Sequence, residues 1–192
     1  MKKPILIGTA LLLTLLLGSV FFLRGGLPAQ ATGLPPGGDF VLQSADGPVD
    51  TQALRGKILL IYFGYTHCPD ISPTALATSS QALNTLSAEE RARVRLLMVS
   101  LDPERDQLPQ LQAYTAFFHP AMTGISGTPA EIGRIAGNFG VRYSKQTPKA
   151  DGSYVVDHTA ATYVVGPDGK LAAVLDLGTP SETVVTTIRQ LL

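Results

Sequence analysis

Residues 62–73 have the sequence YFGYTHCPDISP, in which Cys68 is the only cysteine of the 192-residue chain. The stretch overlaps the apolar run 58–63, which predicts a strand covered on both faces. It leads into residues 73–86, whose apolar spacing and initial proline predict a helix. Amide groups at a helix start stabilise a thiolate, so Cys68 is a candidate nucleophile or soft-metal ligand. One turn further on the same face, Ser72 offers only a hydroxyl, a poor ligand for a soft metal.

The alternative for a lone cysteine is simple packing in the core, where free thiols are common. The neighbours of Cys68 argue against this role because they are polar or turn-forming: Thr66, His67, Pro69 and Asp70. His67 itself is expected to be a solvated loop residue. A single cysteine cannot form an internal disulfide, and an unpaired thiol outside the cytoplasm indicates a function or deep burial.

Strands and helices alternate over residues 39–192, a length that suits one compact domain. This pattern predicts an α/β fold, a thioredoxin-like sandwich. The remaining predicted elements are a hairpin at 40–49, a helical turn at 51–54, strands at 94–101, 154–157, 160–165 and 171–177, and helices at 108–118, 128–139 and 180–191.

The N-terminus predicts a membrane anchor. Residues 5–23 are uncharged and almost wholly apolar, and at about 1.5 Å per residue they span about 28 Å, close to a bilayer core. Lysines precede this run and only Arg24 follows directly, which places the N-terminus in the cytoplasm and the domain outside it. We therefore expect a single-pass anchor at residues 1–24, with a signal peptide as the alternative. The Gly- and Pro-rich residues 25–38 are expected to form a flexible linker.

The charge balance excludes one class of partner. The chain has 15 basic and 15 acidic residues, a net charge of zero, and no basic cluster. Nucleic acid is therefore not an expected partner.

His158 is the second candidate for the site. It precedes the predicted strand 160–165, and in a thioredoxin-like domain this loop lies against the start of the first helix, near Cys68. An imidazole suits copper, and Asp157 is placed to orient it as a hydrogen-bond partner. The alternative is a surface or hydrogen-bonded loop histidine.

Residues 102–106 have the sequence DPERD and follow the second buried strand. Strand C-termini line the functional crevice of an open α/β sheet. Asp102 and Arg105 are therefore expected to form either a partner-binding rim or a fixed ion-pair turn.

Three ordered motifs carry a family resemblance. Residues 65–73 match Tyr-Thr-x-Cys-Pro-Asp-Ile/Val-Cys-Pro apart from Ser72, and residues 102–106 match Asp-Pro-x-Arg-Asp. The third motif is Asp-His-Ser/Thr followed by a tyrosine and a Pro-x-Gly turn, matched by Asp157, His158, Thr159, Tyr163 and residues 167–169. In this order and spacing, the chain resembles the Sco/SenC family of membrane-tethered copper proteins that serve cytochrome c oxidase assembly.

The resemblance implies a thioredoxin fold with a hairpin insertion, and copper held as Cu(I) or Cu(II) by two cysteines and a histidine. The matching positions are Cys68, Ser72 and His158, with Asp70, Asp102, Arg105 and Asp157 as supporting residues. Ser72 removes one ligand and also the resolving thiol of an internal disulfide. The implied partners are a cytochrome c oxidase subunit or another copper protein, a thiol reductant, and the membrane through the N-terminal helix.

Three functions follow as hypotheses. The first is an extracytoplasmic copper-handling protein, a metallochaperone rather than an enzyme, that helps to assemble the copper site of the oxidase. The second is a single-cysteine thiol oxidoreductase or peroxidase, in which Arg105 or Arg142 would stabilise the thiolate. The third is a binding module without metal.

Overall fold

The computed structural model describes residues 33–192. The strands are β1 (Val41–Ser44), β2 (Gly47–Asp50), β3 (Ile58–Gly64), β4 (Val94–Ser100), β5 (Met122–Ile125), β6 (Tyr143–Lys145), β7 (Val156–His158), β8 (Ala161–Val165) and β9 (Leu171–Asp176). The helices are α1 (Ile71–Thr85), α2 (Ala88–Ala92), α3 (Leu108–Phe118), α4 (Pro129–Asn138) and α5 (Ser181–Arg189), and a 3-10 turn covers Gln52–Leu54.

Within residues 33–192, none of the helices combines the length and apolar character needed to cross a bilayer. The predicted anchor, residues 1–24, lies outside this range, as do residues 25–32 of the predicted linker.

A five-stranded mixed sheet carries the domain, with strand order β5-β4-β3-β8-β9. The central strand β3 runs parallel to β4 and antiparallel to β8. All seven residues of β3 are buried, because both faces of the sheet are covered, as the continuous apolar run predicts. One core cluster packs β3 against α4 and includes Phe63, Ile135 and Phe139. The other packs it against α1, α3 and α5. The predicted thioredoxin-like sandwich is confirmed.

The ribbon formed by β6 and β7 lies between α4 and β8 and pairs only with itself. The family resemblance predicts a hairpin insertion without giving its position, and this ribbon is a hairpin outside the main sheet. The strand predicted at residues 154–157 is shifted to Val156–His158. His158 is therefore the last residue of a strand rather than a loop residue, and its main chain is paired with that of Tyr143.

The start of α1 differs from the prediction by two residues. The helix begins at Ile71, with Asp70 at its N-cap position, instead of at residue 73. As a result Ser72 lies in the first turn and is completely buried. Cys68 lies three residues before Ile71, which places its thiol close to the free amide groups of the helix start.

Candidate functional site

The thiol of Cys68 faces the first turn of α1. Its Sγ accepts a hydrogen bond from the main-chain N–H of Ser72 at 3.4 Å, and only 7% of the residue is exposed. Burial raises the pKa of the Cys68 thiol, but hydrogen bonds from Ser72 and from the amides of Asp70 and Ile71 outweigh it and lower the pKa below its ordinary value. A thiolate held in this way is both a nucleophile and a soft-metal ligand.

The hydroxyl of Ser72 has no hydrogen-bond partner of ordinary geometry among residues 33–192. It lies against the end of β3, where a Cβ added to Gly64 would stand 2.6 Å from Ser72 Oγ and 2.6 Å from Cε1 of Tyr62. The absence of a side chain at Gly64 therefore lets the first turn of α1 pack directly on the strand. This close approach fixes the position of the helix start beside Cys68.

We expect Gly64→Ala to destabilise the domain by about 1–3 kcal/mol, because the added methyl group overpacks a contact made by strand and helix. Gly137→Ala is the matched control, since nothing lies within 4 Å of a Cβ at that position of α4. It should leave the free energy of unfolding unchanged or raise it by up to about 1 kcal/mol. Urea denaturation measures both, and equal stability of the two variants would contradict the packing described here.

His158 presents an unprotonated nitrogen. Its Nδ1 lies 3.2 Å from the main-chain carbonyl of Thr159, and a carbonyl only accepts, so Nδ1 carries the proton and donates. Its Nε2 is buried and has no hydrogen-bond partner in the part of the chain that the structure describes. Burial lowers the pKa of His158, against the opposing effects of the Thr159 carbonyl and Asp157. The ring is therefore neutral, with the lone pair of Nε2 free, which is the form that binds metals.

Two tyrosine rings hold this imidazole edge-on. The ring centroid of Tyr62 lies 6.1 Å from that of His158, and the centroid of Tyr65 lies 5.8 Å away, both with nearly perpendicular planes. Tyr65 also accepts the main-chain N–H of Val156 on its hydroxyl at 3.2 Å. It therefore joins the turn before Cys68 to the strand that carries His158.

Cys68 and His158 line one cavity of about 360 Å³. One side of the cavity is lined by residues around Cys68 and the start of α1, which are Tyr65, Pro69, Asp70 and Ile71. The other side is lined by β7 and the residue before it, which are Val155, Val156 and Asp157. The structure thus brings the thiol and the imidazole, which are 90 positions apart in the sequence, to the same space.

A third protein ligand is missing from residues 33–192, where no group of three or more His, Cys, Asp or Glu side chains is arranged to hold a metal ion. Ser72 contributes only its hydroxyl. His67 is a solvated turn residue with a half-exposed side chain, 3.0 Å from Thr66 Oγ1 and 3.7 Å from Asp106, and it does not line the cavity. The described residues therefore offer one thiolate and one imidazole.

Asp157 does not orient His158 by a hydrogen bond, and that part of the prediction is wrong. Its carboxylate accepts a hydrogen bond from the side-chain amide of Gln146 across the ribbon, and the carbonyl of Thr159 accepts the hydrogen bond that His158 Nδ1 donates. Asp70 makes no side-chain capping bond. It acts through its main chain, with its amide near the thiol and its carbonyl accepting from Thr74.

Asp102 and Arg105 form an ion-pair turn rather than an open rim. Arg105 Nε donates to Asp102 Oδ2 at 2.5 Å, and Asp102 is only 4% exposed. Neither Arg105 nor Arg142 lines the cavity with Cys68. Arg142 is exposed and directly precedes β6, where its main-chain N–H donates to Thr159 Oγ1.

Sequence reasoning did not single out Asp106 as a site residue. Its buried carboxylate accepts from the hydroxyl of Thr66 at 2.6 Å, from the N–H of Thr66 at 3.1 Å and from the hydroxyl of Ser100 at 2.7 Å. It therefore ties the turn before Cys68 to the end of β4. The only sequence signal was its place at the end of the 102–106 motif.

Comparison with known proteins decides the family. The SCO1/SenC family model matches residues 29–192. The chain belongs to the SCO1/SenC family. Two mitochondrial relatives are the bovine SCO2 homolog, 35% identical over 80% of this chain and 58% of its own length, and the human SCO1 homolog, 38% identical over 70% of this chain and 45% of its own. The matched region thus spans about half of these relatives.

Solved SCO1/SenC structures share the fold. Apo Sco1 from Thermus thermophilus is 36% identical with a TM-score of 0.75, covering 85% of this chain and 95% of its own. Copper-bound ScoI from Bradyrhizobium japonicum is 36% identical with a TM-score of 0.74, covering 82% and 99%. A further relative, BsSco, was solved in a study of a disulfide switch; it is 27% identical with a TM-score of 0.64, covering 82% and 93%. As an SCO1/SenC protein with a single cysteine, the present chain cannot form such a switch within itself.

Proposed function

We propose that this SCO1/SenC protein carries copper on Cys68 and His158 and assists the assembly of the copper site of cytochrome c oxidase. The observation that carries the proposal is the buried Nε2 of His158, which has no partner within residues 33–192, on a residue that lines the same cavity as Cys68. A buried nitrogen without a hydrogen bond costs free energy, and a bound metal ion accounts for such an atom in a folded protein. Relatives described as copper-bound, and a putative copper-binding protein from Stutzerimonas stutzeri that is 33% identical, support copper as the cargo.

The donor set fits copper. A thiolate is a soft ligand that favours Cu(I), and an imidazole suits copper in either oxidation state. The lowered pKa of Cys68 makes the thiolate available, and the neutral tautomer of His158 leaves its nitrogen free. Because Ser72 adds no thiolate, the remaining coordination positions are left to ligands from outside the chain. Such a site binds copper less tightly than one with two thiolates and an imidazole would. It also leaves coordination positions open for the ligands of an acceptor protein.

The partners follow from this chemistry. An acceptor protein, which we propose is a subunit of the oxidase or another copper protein, supplies the ligands that complete and then remove the ion. Cys68 must be reduced to bind copper, so a thiol reductant is part of the scheme. BsSco belongs to a family of cytochrome c oxidase assembly proteins, which supports the assignment. We further propose that residues 1–24 anchor the protein in the membrane with the domain outside the cytoplasm.

A second candidate function is single-thiol redox chemistry. The lowered pKa of Cys68 favours it, because the thiolate is the form that is oxidised to a sulfenic acid or enters a mixed disulfide. The small exposed fraction of Cys68, 7%, disfavours access of large substrates. Peroxide turnover that depends on Cys68 without any uptake of copper would establish this function in place of the first.

Titration of the reduced chain with Cu(I) tests the proposal. We expect one equivalent of Cu(I) to bind. His158→Ala should lower the affinity by about 10- to 100-fold or more, because the loss of a residue that only hydrogen bonds to a metal ligand already lowers metal affinity by that factor. His67→Ala is the matched control, because this imidazole lies one residue from Cys68 and outside the cavity. Equal affinities for wild type and His158→Ala would refute the assignment of His158.

A further inference from the structure

The side chain of Arg105 closes a ring of contacts at the loop that joins β6 to β7. Its Nε donates to Asp102 Oδ2 at 2.5 Å, and its Nη1 donates to the main-chain carbonyl of Tyr154 at 3.0 Å. The guanidinium lies 3.5 Å from the ring centroid of Tyr154, and the hydroxyl of Tyr154 donates back to Asp102 Oδ1 at 2.9 Å. We call these three residues, Asp102, Arg105 and Tyr154, the clamp.

The clamp joins the main sheet to the strand of His158. Asp102 and Arg105 follow β4 of the main sheet, whereas Tyr154 lies two residues before β7. Strand β7 has only three residues and pairs only with β6. Within residues 33–192, no main-chain hydrogen bond of the main sheet reaches β7 itself, although Ala160, two residues after His158, accepts one from Leu177 at 2.9 Å. Side-chain contacts between the β6–β7 ribbon and the rest of the domain therefore add to the placement that the short link from His158 to β8 provides.

Tyr65 extends the clamp to the site. The Cζ atom of Arg105 lies 5.6 Å from the ring centroid of Tyr65, and the hydroxyl of Tyr65 accepts the N–H of Val156 at 3.2 Å. The same ring stands edge-on to His158 at 5.8 Å. Arg105 thus contacts one tyrosine from the turn before Cys68 and one from the loop between β6 and β7.

We propose that Arg105 is a positioning residue that, through Asp102 and Tyr154, holds the β6–β7 ribbon so that the imidazole of His158 stays on the cavity of Cys68. The effect on copper affinity rests on the proposed function, whereas the effect on the position of His158 rests on the geometry alone. Arginine suits the role because its planar fork donates in fixed directions to two acceptors while its face stacks on an aromatic ring. Lysine keeps the charge but has no such fork.

The first test uses the metal-free chain. Ring currents of Tyr62 and Tyr65 should displace the imidazole proton signals of His158 in the NMR spectrum. We expect Arg105→Ala to move these signals toward those of free histidine, and Arg105→Lys and Tyr154→Phe to move them partway. Lys149→Ala is the matched control, because Lys149 is an exposed lysine of the same loop and takes no part in the hydrogen bonds among Asp102, Arg105 and Tyr154. It should leave the signals in place.

The second test is the affinity for Cu(I). Arg105→Ala should lose about 10- to 100-fold, as expected for a residue that orients a ligand, and Arg105→Lys should recover part of the loss. Arg55→Ala controls for the removal of an arginine–aspartate pair, since Arg55 bonds to Asp39 at 2.8 and 2.6 Å, and it should bind copper like wild type.

Unchanged His158 signals in Arg105→Ala, or a copper affinity equal to that of Arg55→Ala, would overturn the proposal. If Arg105→Ala does not fold, Arg105→Lys and Tyr154→Phe decide by the same two readouts. A wild-type chain that takes up no copper refutes the proposed function, while the NMR comparison still decides the role of Arg105.

Discussion

Cys68→Ala is expected to lower the affinity of the chain for Cu(I) by at least about 100-fold. This loss exceeds the loss expected on substitution of any residue that only hydrogen bonds to a ligand. Cys68 supplies the only sulfur that a cysteine can offer in this chain, and thiolate is the donor that Cu(I) prefers. Without it, His158 is the remaining proposed ligand in the cavity. The affinity is measured by competition with a chelator of known strength. The sulfur-to-copper charge-transfer absorption of the Cu(II) form should disappear in the same variant.

Ser72→Ala is the control for this loss. It removes a buried hydroxyl from the same turn and leaves the main-chain N–H that hydrogen bonds to the sulfur. We expect it to keep most of the copper affinity. Retention of wild-type affinity by Cys68→Ala, or equal losses in the two variants, would show that the thiolate is not the principal ligand.

Ser72→Cys is expected to raise the affinity for Cu(I) by roughly 100-fold or more, because it adds a thiolate that can bind the ion directly. Substitutions of residues that do not touch the ion already change metal affinity by up to about 100-fold. Residue 72 is in the first turn of α1, directly beside Cys68, and its N–H reaches Cys68 Sγ at 3.4 Å. The same change supplies a partner for an internal disulfide, which should form on oxidation and then block the uptake of copper.

Ser79→Cys is the matched control for this gain. Ser79 is also a buried serine of α1, 3% exposed, but it does not line the cavity of Cys68. It should leave the copper affinity unchanged. A Ser72→Cys variant that binds copper no more tightly than wild type, with both thiols reduced, would contradict the view that the missing sulfur limits the site.

The elements that the sequence predicts well are those with long, regular patterns. The apolar run of β3 and the helix at residues 108–118 appear where they were predicted. So does α4, which Thr128 and Glu131 start with a capping box. Strand β5 was not predicted, because it has four residues and includes Gly124. That glycine lets α3 approach closely, since a Cβ there would stand 2.5 Å from Leu111, a requirement that only the packed structure reveals.

The site also has one part that the local sequence predicts and one part that depends on distant residues. The properties of Cys68 follow from its own segment, because the helix start that lowers its pKa is adjacent in sequence. The contacts that hold His158 come from distant segments: Tyr65 lies 91 residues from Val156, and Arg105 lies 49 residues from Tyr154. No spacing rule predicts such pairs.

The prediction for Asp157 failed for a local reason. Adjacent residues of a strand point to opposite faces, so the carboxylate of Asp157 is directed away from the imidazole of the next residue. It meets Gln146, which lies diagonally across the ribbon beyond the pair of Ser144 with Asp157.

X-ray absorption of the copper-loaded, reduced chain tests the central claim most directly, because it identifies the atoms bound to the ion. We predict one sulfur and one imidazole nitrogen from the protein, with the sulfur lost in Cys68→Ala and the imidazole contribution lost in His158→Ala. A first shell without sulfur, or an imidazole contribution that survives in His158→Ala, would show that the thiol and the imidazole of this cavity do not share one copper ion.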